Sequence, residues 1–133
     1  MLASPTDRGG IRRPRVLLVE DDPVVRQMEH ELLLNAGYDV VVAEDGLQAL
    51  ELVVAEGLVV DLVVSDVEMP RMDGSELWRS FRAVLPDAPF LFTSGDPHWQ
   101  RPDGFPPGRT DFLAKPFGFA ELFRRIDGLL GLR

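Results

Sequence analysis

Short runs of continuous apolar residues alternate along this chain with stretches whose apolar positions recur at helical spacing. Val16–Val19 is the first such run, the pattern of a strand covered on both faces. Asp22-Pro23 reads as an N-cap followed by proline at the first helical position. Val24, Met28, Leu32 and Ala36 then recur every fourth residue and predict the buried stripe of a first helix, which Gly37 ends. Val40–Val42 predicts a second strand, and Asp45-Gly46 opens a second helix with Leu47, Leu50, Val53 and Val54 on one face. Leu62–Ser65 predicts the third strand. After the loop "EMPRMDG", whose Asp73-Gly74 reads as a turn and helix cap, Leu77, Trp78, Phe81, Val84 and Leu85 mark a third helix ended by Pro86. Phe90–Thr93 and Phe112–Ala114 predict two more strands. Phe119, Leu122, Phe123, Ile126, Leu129 and Leu130 form the cleanest helical stripe in the chain.

Strand and helix alternate throughout, and right-handed crossovers then give an α/β fold, a doubly wound five-stranded parallel sheet with helices on both faces. One segment interrupts the rhythm. Between Gly95 and Asp111 a helix is due, but Pro97, Pro102, Pro106 and Pro107 leave room for about one turn capped by Asp96. The fourth helix is therefore expected to be short or missing.

Composition narrows the function classes. The 133 residues suit one domain, residues 14–133, preceded by a flexible tail over residues 1–13. The chain has no cysteine, which excludes thiolate chemistry and Cys-based zinc sites and fits a cytoplasmic location. Its apolar runs are too short to insert into a membrane. A net charge of −8 argues against a nucleic acid partner, because that affinity comes from neutralising phosphates with Lys and Arg. His30 and His98 have no ligand partners at metal spacing and read as surface residues.

The acids matter for where they fall. In a parallel sheet, ligands bind outside the carboxyl ends of the strands. The first strand delivers Glu20 and Asp21 to that edge, the third Asp66, the fourth Thr93-Ser94-Gly95, and the fifth Lys115. Two carboxylates about 4 Å apart repel by roughly 4 kcal/mol at an effective dielectric near 20. A proton or a cation must relieve that repulsion. Hard oxygen ligands suit Mg²⁺, which typically takes one or two carboxylates and a phosphate oxygen. A carboxylate beside such an ion and a lysine is placed to attack phosphorus while phosphoryl charge is neutralised.

Four segments, "VLLVEDDPVVR", "VSDVEMPRMDG", "PFLFTSGD" and "FLAKPF", together resemble the signature segments of the receiver domain of two-component response regulators. The resemblance covers residues 15 to about 130 and implies a flavodoxin-like sheet in the order 2-1-3-4-5. It implies a phosphoacceptor, Asp66, that takes a phosphoryl group from a phosphohistidine. It implies Mg²⁺ held by Glu20, Asp21, Asp66 and the backbone carbonyl of Glu68, and phosphoryl contacts from Ser94, Lys115, Val67 and Gly95. Ser94 rather than Thr93 matches the switch hydroxyl, since neighbours on a strand point to opposite faces. Phe112 matches the aromatic that turns inward on activation, and a cis bond is implied before Pro116. The implied partners are a sensor histidine kinase or histidine phosphotransfer protein, docking on helix one and the loop after strand five, and a downstream protein target. No enzyme turnover beyond slow self-dephosphorylation is expected.

The chain departs from that pattern in two places. Glu68 and Asp96 put acids two residues past Asp66 and Ser94, where both bear on the lifetime of an acyl phosphate. The proline-rich loop replaces a helix that often carries the family's output, and it is expected to reorder on phosphorylation with Trp99 changing environment. A phosphorylation-independent interaction module of the same fold is the rival reading; the full set Glu20, Asp21, Asp66, Ser94 and Lys115 speaks against it. A flavodoxin-like cofactor domain would need a Gly- or Ser/Thr-rich phosphate loop where "EDDPVV" stands.

Overall fold

Among the described residues, five strands and four helices follow one another as β1 (Arg15–Val19), α1 (Pro23–Asn35), β2 (Asp39–Ala43), α2 (Gly46–Val54), β3 (Leu62–Asp66), α3 (Gly74–Phe81), β4 (Phe90–Ser94), β5 (Thr110–Ala114) and α4 (Phe119–Leu130). The computed structural model describes residues 13–131 other than 103 and 107, so the tail expected over residues 1–13 lies, Arg13 apart, outside the described residues. All five strands pair in parallel in the expected order, β2-β1-β3-β4-β5.

Side chains alternate across the sheet and fill two cores. Leu17, Val19, Val63, Phe90 and Phe92 pack against Leu77, Trp78 and Phe81 of α3 and against Ala49 and Val53 of α2. Val16, Leu18, Val64 and Leu91 face Leu33 of α1 and Leu122 and Ile126 of α4. Helix starts follow the sequence signals. Asp22 accepts the N–H groups of Val24 and Val25, Asp45 accepts that of Gln48, and Asp73 and Glu76 form a reciprocal capping box. Each such cap is worth about 1 kcal/mol.

Two helix faces differ from the sequence pattern. Val24 is 77% exposed, Met28 is 49% exposed and Ala36 is also exposed, so the expected α1 stripe is not the buried one. The inward row lies one residue along: Val25 is half-buried, and Glu29 and Leu33 are buried. The spacing was right and the phase wrong, because a glutamate in the inward row breaks the apolar pattern that locates it. In α2, Leu47 and Val54 are exposed, and Gly46, Ala49 and Val53 make the contact. Small residues are favoured there: a Cβ on Gly46 would come within 2.9 Å of Met72 atoms. Helix α3 also ends at Phe81, before the predicted Pro86, and a turn carries the chain to Leu85.

Among the described residues, no helix links β4 to β5. A turn at Pro97–His98 is closed by Asp96, whose carboxylate accepts the His98 N–H. Two aromatic rings cover the sheet where a helix was due. Phe105 is buried with its ring centroid 3.8 Å from Trp78 and 5.6 Å from Phe92. Trp99 lies between Phe92 at 5.3 Å and Phe112 at 5.2 Å. Burying a ring of this size contributes roughly 2–3 kcal/mol, which lets a loop rich in proline and glycine stay attached. Arg101 fastens its middle by donating to the carbonyl and hydroxyl oxygens of Thr110.

Candidate functional site

Sheet register brings the predicted residues to one edge. Val19 pairs with Ser65, Asp66 with Thr93, and Ser94 with Ala114, so the residues that follow β1, β3, β4 and β5 emerge side by side. The start of α3 presses on this edge. A Cβ at Gly74 would come within 2.7 Å of the Asp66 carbonyl oxygen, so only glycine fits without displacement. On the other flank the Lys115 N–H donates to Ser94 O at 2.7 Å, extending the β5 pairing, and the Lys115–Pro116 bond is cis.

Glu20, Asp21, Asp66 and Lys115 converge. Lys115 Nζ donates to Glu20 Oε1 at 2.9 Å and lies 3.5 Å from Asp66 Oδ1. Glu20 and Asp66 are buried, whereas Asp21 is exposed. Burial first, then the neighbouring Glu20 charge, pushes the Asp66 carboxyl up to about 6, against the opposing pull of Lys115. Burial alone would lower the Lys115 ammonium, but its bond to Glu20 and the charges of Asp66, Glu20 and Glu29 leave it raised. The amine is therefore held as a cation beside the carboxylate.

The arrangement fits a small divalent ion. One carboxylate oxygen from each of Glu20, Asp21 and Asp66 lies within 4.8 Å of the others. Among the described residues no group donates a hydrogen bond to the buried Asp66 Oδ1, which has only the Lys115 ammonium 3.5 Å away, an arrangement that an ion or a new bond would complete. Hard oxygens in that number, open to solvent through Asp21, suit Mg²⁺ with waters in its remaining positions.

The other predicted residues divide. Ser94 is buried, donates to Glu68 Oε2 at 2.6 Å and accepts the Asp96 N–H at 2.9 Å. Gly95 is exposed beside it. Phe112 is half-buried against Trp99. The Val67 N–H donates to Thr93 O at 2.8 Å at the sheet edge. Glu68 enters through its side chain, on Ser94.

Sequence reasoning missed Glu29. It is 4% exposed on the inward side of α1 and lines a cavity of about 370 Å³ with Val25, Met28, Lys115, Pro116 and Phe117. Burial, then the charges of Glu20 and Asp66, raise its carboxyl to about 7, with Lys115 opposing. The available signal was an acid at i+4 from Val25 and i−4 from Leu33.

Comparison with known proteins agrees with this geometry. Residues 16–127 match the response regulator receiver domain family. The response regulator MprA of Mycolicibacterium vanbaalenii is 41% identical over 117 residues, covering 87% of this chain and 50% of that protein. The chain thus spans about half the length of the curated relatives it matches. Among solved structures, the receiver domain of the hybrid histidine kinase CckA is 35% identical with a TM-score of 0.74, covering 87% of this chain and 98% of that one. The receiver domain of the sensor histidine kinase PA1611 from Pseudomonas aeruginosa, solved with a magnesium ion in its active site cleft, is 30% identical with a TM-score of 0.76, covering 90% of this chain and 98% of that one. With the site, the strand order and these relatives in agreement, the chain belongs to the response regulator receiver domain family.

Proposed function

We propose that Asp66 accepts a phosphoryl group from a phosphohistidine and that the phosphorylated chain signals by contact with another protein. One observation carries the reading: a buried carboxylate oxygen that accepts no hydrogen bond from the described residues stands 3.5 Å from an ammonium and beside two further acids. An Asp66 oxygen attacks phosphorus as the P–N bond of the donor breaks; the imidazole leaves with that electron pair and takes up a proton, and a mixed anhydride remains on Asp66. Lys115 pairs with a phosphoryl oxygen, and the Ser94 hydroxyl and the Gly95 N–H face the same group. Glu20, Asp21, Asp66 and the Glu68 carbonyl would hold Mg²⁺, which when bound offsets the negative charge of the phosphoryl oxygens.

The exposed side chains of α1 suit docking of the donor. Val24, Met28 and Phe119 border a groove of about 600 Å³ on α1 and the start of α4. A helix bearing the phosphohistidine fits this apolar strip, and Pro23 brings it near Asp21 and Asp22. Trp99, in contact with Phe112, gives the loop after β4 a route by which to feel the site.

Phosphotransfer from purified histidine kinases or phosphotransfer proteins tests the reading. Label is expected on the wild-type chain with Mg²⁺ and none on Asp66→Ala. Equal label on both, or none on wild type from any donor or from a small-molecule phosphoryl donor, overturns it.

A further inference from the structure

Ser94 has one hydroxyl proton, and Glu68 holds it. The Oγ donates to Glu68 Oε2 at 2.6 Å while accepting the Asp96 N–H at 2.9 Å. Ser94 is fully buried at the end of β4, whereas Glu68 belongs to the exposed loop after β3. The bond thus ties that loop to the end of β4, across 26 residues of sequence. A carboxylate only accepts hydrogen bonds, and so does a fully ionised phosphoryl group. Both need the same proton, and the hydroxyl has no second one to offer. The Glu68 charge also reaches Asp66, where it is among the causes that raise that carboxyl. The two acids therefore address one place.

We propose that the Glu68 carboxylate latches the Ser94 hydroxyl in the unphosphorylated chain, and that a phosphoryl group on Asp66 must take the hydroxyl from it. This rests on the phosphoacceptor reading of Asp66 and adds a positioning role for the Glu68 side chain, beyond any use of its backbone carbonyl. The latch opposes phosphorylation, and its release unties the Glu68 side chain from the end of β4. Ser94 then turns to the phosphoryl oxygen, and the Glu68 carboxylate turns out to solvent.

A double-mutant cycle on the full chain separates the latch from simple charge repulsion. Beryllofluoride with excess Mg²⁺ serves as the phosphoryl probe, and calorimetry reads its affinity. Glu68→Leu is expected to tighten binding about tenfold when Ser94 is present, the scale of one hydrogen bond to a charged acceptor. In the Ser94→Ala background the same substitution is expected to gain less than about twofold, since no latch remains to be opened. Glu68→Gln keeps an acceptor oxygen without the charge and is expected to gain about threefold. It also serves as the mildest variant should leucine disturb the loop. Equal gains with and without Ser94 would mean that Glu68 acts by repulsion alone, and no gain at all would mean that the bond opposes nothing; either overturns the latch. Wild-type protein that binds no probe in an Asp66-dependent way overturns the phosphoacceptor reading and the latch with it.

Discussion

Asp66 and Glu29 are both buried carboxylates in the field of Lys115, and their surroundings set them apart. Each is raised first by burial, Asp66 to about 6 and Glu29 to about 7. Asp66 ends a strand, has Glu20 and Asp21 within metal-ligating reach, and lies 3.5 Å from the amine. Glu29 sits on a helix between Val25 and Leu33, lines a cavity with mainly apolar walls, and belongs to no group of acids that could share an ion among the described residues. Burial, helped by neighbouring acids, makes both of them weak. Only Asp66 also has a close ammonium and further acids that could share an ion, surroundings that would suit a nucleophile.

The largest expected effect lies in phosphorylation. Lys115→Ala should slow phosphotransfer to Asp66 on the order of a hundredfold, the usual scale for removing one group that stabilises developing charge. Glu29→Leu should stay within about twofold of wild type in the same kinetic measurement. Comparable losses in both variants would place Glu29 in the chemistry and erase the contrast.

Magnesium gives the next test. At a hundred times its dissociation constant, an ion bound only by the folded chain stabilises it by about 2.7 kcal/mol. Denaturant midpoints should rise with Mg²⁺ in wild type and in Glu29→Leu, and should not move in Asp21→Ala or Asp66→Ala. A magnesium response in Asp66→Ala equal to that of wild type would remove Asp66 from the ion site.

Stability against pH separates the two acids a third way. A carboxyl raised in the folded state holds its proton where the unfolded chain has released it. Its contribution is therefore fully present below the ordinary value and is lost as pH rises towards the folded one. For Glu29 that window runs from 4.5 to about 7, and for Asp66 from 3.8 to about 6. Wild type should lose stability across this range, on the order of 3 kcal/mol from Glu29. Glu29→Leu should abolish the part that extends towards pH 7 in urea titrations. An unchanged profile would show that Glu29 ionises as freely folded as unfolded.

The smallest effect concerns crowding. Without Mg²⁺ near neutral pH, Asp66→Ala or Asp21→Ala should raise stability by about 1 kcal/mol, because each removes one charge from the cluster. Midpoints that fall in both variants, at unchanged m-value, would show that these acids do not repel one another in the folded chain.

What the sequence disclosed, and what it hid, follows from the range of each interaction. Glu20, Asp66 and Lys115 were legible because parallel strands deliver their C-terminal residues to one edge whatever the side-chain detail. The caps at Asp22, Asp45 and Asp73 were legible because they act within one helical turn. The face of α1 was not, since its inward row contains Glu29 and pattern reading passes over an acid. Phe105 was hidden among prolines and glycines, and only the packing against Trp78 and Phe92 gives it a place in the core. The Ser94–Glu68 bond joins side chains 26 residues apart, a matter of rotamers that no periodicity records.

Borohydride trapping tests the central claim most directly, by asking which carboxylate carries the phosphoryl group. Wild-type chain is incubated with Mg²⁺ and a phosphoryl donor, its acyl phosphate is reduced to an alcohol, and the altered residue is located by peptide mass spectrometry. The account predicts reduction at Asp66 alone, dependent on Mg²⁺. Reduction at Glu29, Glu20 or Asp21 with Asp66 unaltered would contradict it.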